Sequence, residues 1–181
     1  MVNVKFAKVH PDAKIPSKRD EDMGFDIYAC FDEDYIVIEP HETKLIPTGL
    51  ASACDPGYGF LLFERGSTGS KGIARRCGVI DSGYRDEWFV GLTNTTDKKL
   101  FISKLNSEEL IKALSSDDPM SWKYITAKFD VLNGIVYPYT KAIVQALVIP
   151  VYKTKVWELN YEDLKNIQSE RGLGKLGSSN K

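Results

Sequence analysis

Short apolar or β-branched runs, each closed by turn chemistry, recur along most of this chain and confine it to an all-β architecture. Val2, Val4 and Phe6 alternate with Asn3 and Lys5. Phe25 to Cys30, Tyr35 to Glu39, Thr43 to Pro47, Gly59 to Glu64, Trp88 to Thr93 and Leu100 to Ser103 continue the series. Pro40-His41, Pro47-Thr48-Gly49 and Asp55-Pro56-Gly57 separate neighbouring runs. Ala142 to Val151 is a longer apolar run broken by Pro150. Many short strands with close turns predict a jelly-roll-like β-barrel. At 181 residues, 43% hydrophobic and 27% charged, the chain can bury one such core, which we place at 1–168.

Two segments break the rhythm. Asn106-Ser107-Glu108-Glu109-Leu110-Ile111-Lys112-Ala113-Leu114 reads as a helix, with Asn106 as cap, acids in the first turn, and Leu110, Ile111 and Leu114 on one face. It marks 95–140 as a helical insertion, either a surface elaboration or an arm for a protein partner. The Gly/Ser-rich segment 169–181 reads as a flexible C-terminal tail.

Composition excludes several roles. Lys+Arg 24 against Asp+Glu 25 leaves a net charge of −1, without the basic excess of a nucleic-acid coat. No apolar run is long enough for a membrane span. Three scattered cysteines, an odd number, argue against a disulfide framework and fit a reducing cytoplasm. Only two histidines, His10 and His41, disfavour a His-rich zinc site or a Ser-His-Asp triad. Hydrolytic chemistry here must run on carboxylates, arginines and a hard cation.

Four constellations offer such groups. In Cys77-Gly78-Val79-Ile80-Asp81-Ser82-Gly83-Tyr84-Arg85-Asp86-Glu87-Trp88, apolar stretches flank an Asp-Ser-Gly turn, which predicts a β-hairpin with Asp81 and Tyr84 at its mouth. Glu64-Arg65-Gly66-Ser67-Thr68-Gly69-Ser70-Lys71-Gly72, followed by Arg75-Arg76, sets four cations against one carboxylate among hydroxyls and glycines, a composition that suits a polyphosphate. Gln145 interrupts an apolar strand and Asp26 sits in another, so each needs a partner. Arg171-Gly172-Leu173-Gly174-Lys175-Leu176-Gly177-Ser178-Ser179 could wrap backbone amides around an anion.

In this order the segments resemble the five motifs of the trimeric dUTPase family: Met23 to Ala29, Arg65-Gly66-Ser67, Gly78 to Glu87, Ile143 to Leu147, and Arg171 to Ser179. The resemblance implies three jelly-roll subunits sharing three active sites, each closed by a neighbour's tail, with dUTP cleaved to dUMP and pyrophosphate. It implies Asp81 as the base for the attacking water and Tyr84 against the deoxyribose. It implies Gly78, Val79 and Ile80 around uracil, and Asp26 and Gln145 reaching Mg²⁺ through bound waters. Arg65, Gly66, Ser67, Arg171, Gly177 and Ser178 fall in phosphate-binding motifs, and Leu176 occupies the base-covering position of the lid. Departures are visible. Gly66 separates Arg65 from Ser67, the connection from Ser67 to Asp81 is short, Asp86 stands where glycine is common, and Leu176 replaces an aromatic. A dCTP deaminase of the same fold and a regulatory protein-binding module are the alternatives.

Overall fold

The computed structural model describes residues 2–115, 118–170 and 172–174. The chain divides into two units, Met1–Val151 and Tyr152–Lys181, so the expected 1–168 domain includes the start of the second. In order, the elements are β1 (Val4–Lys8), β2 (Phe25–Ile27), β3 (Tyr35–Ile38), β4 (Thr43–Pro47), β5 (Leu50–Cys54), β6 (Tyr58–Phe63), α1 (Gly66–Gly69), β7 (Ile73–Arg76), β8 (Val79–Asp81), β9 (Phe89–Asn94), β10 (Leu100–Ser103), α2 (Ser107–Leu114), α3 (Trp122–Asn133), β11 (Ile135–Pro138), β12 (Val144–Pro150) and α4 (Tyr161–Asn166). Among the described residues no helix is long and apolar enough to cross a membrane.

The strands form four ladders rather than a closed barrel: β1-β5, β11-β10-β3, β2-β12-β6-β8 and β4-β9-β7. One side chain in two from each points into a shared core of Ile27, Ile38, Phe60, Leu62, Trp88, Val90, Leu92, Leu100 and Val144, all essentially inaccessible to solvent. Phe6 and Phe60 each meet Trp88 edge-on, with Phe60 and Trp88 centroids 4.9 Å apart. The alternating reading of β1 and the apolar run of β10 match this arrangement.

The insertion is held from both sides. β10 and β11 pair in parallel, and a parallel pair needs a long crossover. Helices α2 and α3 fill that crossover. Leu100 and Ile102 face the main core, while Phe101 faces outward against Leu110, Ile111 and Val131. Asn106 caps α2 as expected, accepting the amides of Glu108 and Glu109 at 3.0 Å, while Glu109 returns a bond to the Asn106 amide. Sequence patterning missed α3. Its buried side is only Ala127 and Val131, and its outward side carries Trp122, Ile125, Phe129 and Leu132, so hydrophobicity marks the wrong face.

The expected hairpin after Cys77 takes another form. β8 pairs with β6, whereas β9 lies between β4 and β7. The Asp81–Trp88 turn therefore joins two sheets instead of closing one ladder. The core drives this choice, because Trp88 is fully buried and pulls the chain across to the second sheet.

Candidate functional site

The sheet β2-β12-β6-β8 positions Asp26, Gln145, Val79 and Asp81 on its outward face. Register places Gln145 opposite Asp26 on one side and Phe63 on the other. Asp81 lies opposite Gly59, four residues along β6 from Phe63, and so on the same face. The alternate residues Ile27, Val144, Ala146, Leu62 and Ile80 fill the core.

At one end of this face is a polar cavity of about 490 Å³, bordered by Arg19, Asp22, Asp26, Arg65, Ser67 and Gln145. The partner that Asp26 required is Arg65. Its guanidinium forks onto the carboxylate, Nε to Oδ1 at 2.8 Å and Nη2 to Oδ2 at 3.2 Å, with both side chains about a third exposed. Arg65 leads into the single turn α1, where Thr68 Oγ1 accepts its amide at 3.0 Å and donates to its carbonyl. That turn brings Ser67 Oγ to 3.4 Å from Arg65 Nη1, so the extra Gly66 still leaves a hydroxyl beside the guanidinium.

Gln145 donates from Nε2 to the Glu64 carbonyl at 2.8 Å, which answers the cost of an amide in an apolar strand. Gly24 makes room for it, since a Cβ there would stand 3.0 Å from Gln145 Cβ and 3.1 Å from its Oε1. Burial pushes the Glu64 carboxyl up, but the Arg75 amide bonded to it at 2.8 Å, its own amide, and the Arg75 and Arg76 charges outweigh that and hold it below its ordinary range.

Sequence reading missed a second forked pair on this cavity. Arg19 holds Asp22 through Nε (3.0 Å) and Nη2 (2.8 Å), and the Arg19 amide bonds the same carboxylate at 3.1 Å. Hydrogen bonding by Arg19 lowers the Asp22 carboxyl to about 2. The signal in sequence is only Lys18-Arg19-Asp20-Glu21-Asp22, indistinguishable from a solvated charge run.

The second cluster is a cavity of about 490 Å³ bordered by Cys77, Gly78, Val79, Asp81, Tyr84 and Phe89, with Ile80 also at its wall. Asp81 is exposed at the end of β8, and the Tyr84 amide closes the turn onto its carbonyl at 3.1 Å. Arg85 clamps the turn, with Nη1 donating to the carbonyls of Ser82 (2.6 Å), Tyr84 (3.0 Å) and Ser52 (3.3 Å). Tyr84 Oη donates to the Glu87 carbonyl at 3.0 Å, and Glu87 Oε1 accepts the Gly49 amide at 2.7 Å. Asp86, in the place of a common glycine, accepts the Glu87 amide at 2.8 Å. Arg85 and Glu87 are thus supports that the motif contained without announcing their role.

The two clusters are separated in one chain. Three strand spacings across and four residues along put the Asp26 and Asp81 backbones about 20 Å apart, at about 4.8 Å per strand and 3.3 Å per residue. Arg171, Leu176, Gly177 and Ser178 lie outside the described residues. Hard oxygen donors suit Mg²⁺, which keeps several of its waters. Both Asp26 oxygens are already engaged by Arg65, which fits contact through such waters. Among the described residues no three His, Cys, Asp or Glu side chains are grouped to ligate a metal directly.

A family model described as dUTPase matches residues 12–106. A deoxyuridine 5'-triphosphate nucleotidohydrolase of Leptospira interrogans is 34% identical over 99 residues, covering 52% of this chain and 68% of that protein. One from Nautilia profundicola is 28% identical over 188 positions, covering 99% and 100%. Among solved structures, the Staphylococcus bacteriophage 80alpha dUTPase with dUPNHPP superposes with a TM-score of 0.67 at 18% identity, covering 98% of each chain. The native EIAV dUTPase gives 0.57 at 19% identity, covering 87% and 98%. The fold is shared with both.

Proposed function

The chain belongs to the dUTPase family, and from that premise we propose that it hydrolyses dUTP to dUMP and pyrophosphate, with Asp81 as the base. The observation that carries the assignment is the Asp81–Tyr84 turn, which sets a carboxylate and an aromatic ring on one largely apolar cavity and is held rigid by Arg85 and Glu87. A nucleobase fits against Gly78, Val79 and Ile80, where backbone groups can pair with the O2, N3–H and O4 edge of uracil. Cytosine presents the reverse pattern at N3 and C4, and a mismatched buried edge is discriminated by about 10⁴-fold. Tyr84 packs on the deoxyribose and leaves no space for a 2′-hydroxyl.

Asp81 takes a proton from a water in line with the α-phosphorus. The water oxygen bonds to phosphorus as the bond to the bridging oxygen breaks, and pyrophosphate leaves. Arg65, Ser67 and Gln145 receive the phosphate chain. Bound Mg²⁺, held through waters by Asp26 and Gln145, would neutralise phosphate charge. Segment 169–181, with Arg171, Leu176, Gly177 and Ser178, serves as the lid.

Distance supports an assembly. The base and the groups that hold the phosphates must meet around one phosphorus, yet Asp81 and Asp26 of one chain stand about 20 Å apart. A site shared between copies, as in a homotrimer, brings them together. The three unpaired thiols support a reducing cytoplasm as its compartment. The relatives described above are nucleotidohydrolases, which favours hydrolysis over deamination of dCTP.

The test is pyrophosphate release from a panel of deoxy- and ribonucleoside triphosphates with and without Mg²⁺. Wild-type protein should act on dUTP, and Asp81→Asn should lower turnover about 10²–10⁴-fold with little loss of nucleotide binding. Near-normal turnover in the variant would remove Asp81 from this role, and ammonia release from dCTP would replace the reading with deamination.

A second, compatible reading concerns the insertion. Trp122, Ile125, Phe129 and Leu132 form a solvent-facing stripe at three- and four-residue spacing, with Trp122 81% and Phe129 66% exposed. Such a stripe supports a protein partner at 95–140. Phe129→Asp should leave turnover unchanged and alter the set of proteins that co-purify; an identical set would count against it.

A further inference from the structure

Two forked Arg–Asp pairs border the same polar cavity, and only one of them falls in a recognised motif. Arg65 on Asp26 lies on one side; Arg19 on Asp22 lies on the other. We propose that Arg19 is a substrate-binding residue that grips the terminal phosphates, the end that departs as pyrophosphate. The inference rests on the dUTP reading above and adds a residue to it.

Three features set Arg19 apart from an ordinary surface arginine. First, it is pinned. Lys18 Nζ bonds the carbonyls of Arg19 (3.1 Å) and Asp22 (2.9 Å), and the Asp22 amide bonds the Arg19 carbonyl at 3.1 Å. With the Asp22 carboxylate also holding the Arg19 amide, a side chain 87% exposed is nonetheless fixed. An arginine so held loses less entropy on meeting a phosphate.

Second, it has donors to spare. Nε and one Nη2 hydrogen are used by Asp22. The three other guanidinium N–H groups carry no hydrogen bond among the described residues, and a guanidinium presents five in a fixed plane suited to phosphate oxygens.

Third, the cavity suits a phosphate chain that arrives with its cation. Its wall carries the carboxylates of Glu21, Asp22 and Asp26, two guanidiniums, a hydroxyl and an amide, with Met23 at its rim, and the apolar cavity fit for a base lies at the far end of the sheet. Each cation is matched one to one by its own carboxylate at rest. Glu21 adds a third carboxylate, so the cavity is net negative at rest, and phosphates that arrive with Mg²⁺ to offset these carboxylates can draw on both guanidiniums.

The experiment titrates wild-type, Arg19→Gln and Arg19→Lys proteins with Mg-pyrophosphate, with α,β-imido-dUTP and with dUMP, following heat, alongside dUTP kinetics and melting temperature. Arg19→Gln should weaken pyrophosphate and imido-dUTP binding about tenfold, the low end for a charge-assisted bond because the site is open to water. It should leave dUMP binding unchanged, lower the melting temperature only slightly through loss of the exposed Arg19–Asp22 pair, and raise KM more than it lowers kcat. Arg19→Lys should fall between. Equal pyrophosphate affinity in wild type and Arg19→Gln, or an equal loss for dUMP, would overturn the assignment. Wild-type protein inert toward dUTP would instead overturn the reading beneath it.

Discussion

Subunit mixing tests most directly the proposal that the site is shared between copies. Asp81→Asn removes the base, and Asp26→Asn removes the carboxylate that Arg65 holds, each nearly without change of shape. With the two positions about 20 Å apart in one chain, the proposed function requires each active site to draw Asp81 from one copy and Asp26 from another. Each variant alone should be nearly inactive. After unfolding and refolding an equal mixture, a given site has an intact Asp81 donor half the time and an intact Asp26 donor half the time. About a quarter of the sites in a cyclic assembly should then regain both groups. The assay is pyrophosphate release per chain, read against the two unmixed variants refolded in parallel. Recovery to about a quarter of the wild-type rate confirms a site built between copies. Activity no greater than the mean of the two parents would refute the distance argument, because only a site contained in one chain predicts it.

Other expectations test the scaffold. Gly49 has a φ of +64°, and a Cβ there would lie 2.8 Å from the Cβ atoms of Ala13 and His10. Gly49→Ala should cost about 2–5 kcal/mol, from the left-handed backbone and the overpacking together, and a urea melt unchanged within 1 kcal/mol would exclude that crowding. The Asp22 carboxyl, at about 2 in the folded chain against 3.8 normally, stabilises the fold above its ordinary value and loses that contribution as pH falls through about 2. Carboxyl NMR should show its midpoint returning toward the ordinary range in Arg19→Gln. Cys30 is buried and its thiol is pushed up by that burial, whereas Cys77 is exposed. Iodoacetamide should therefore label Cys77 in native protein and Cys30 only after unfolding, with peptide mass spectrometry as the readout.

Much of the candidate site was legible because the proposed chemistry demands particular residues at particular places in order. An aspartate and a tyrosine around a Ser-Gly bend, an arginine followed by a hydroxyl, and an amide in an apolar strand stand out in one dimension. Arg19 did not, because its neighbours in sequence, Lys18 to Asp22, look like any hydrated loop. Only the cavity it shares with Gln145, more than a hundred residues away, gives it meaning. Helix α3 was hidden for the opposite reason, its apolar residues lying on the outer face.

The amino-acid order alone determined the all-β character, the capped helix α2 and the identity of the candidate chemical groups, since alternation, capping and turn formation act over a few neighbouring residues. Tertiary structure decided that Asp26 pairs with Arg65, that the Asp81 turn bridges two sheets, and that the Asp26 and Asp81 clusters lie far apart in one chain. Those outcomes depend on strand pairing across long separations, where burying Trp88 and its neighbours in a common core outweighs any local preference.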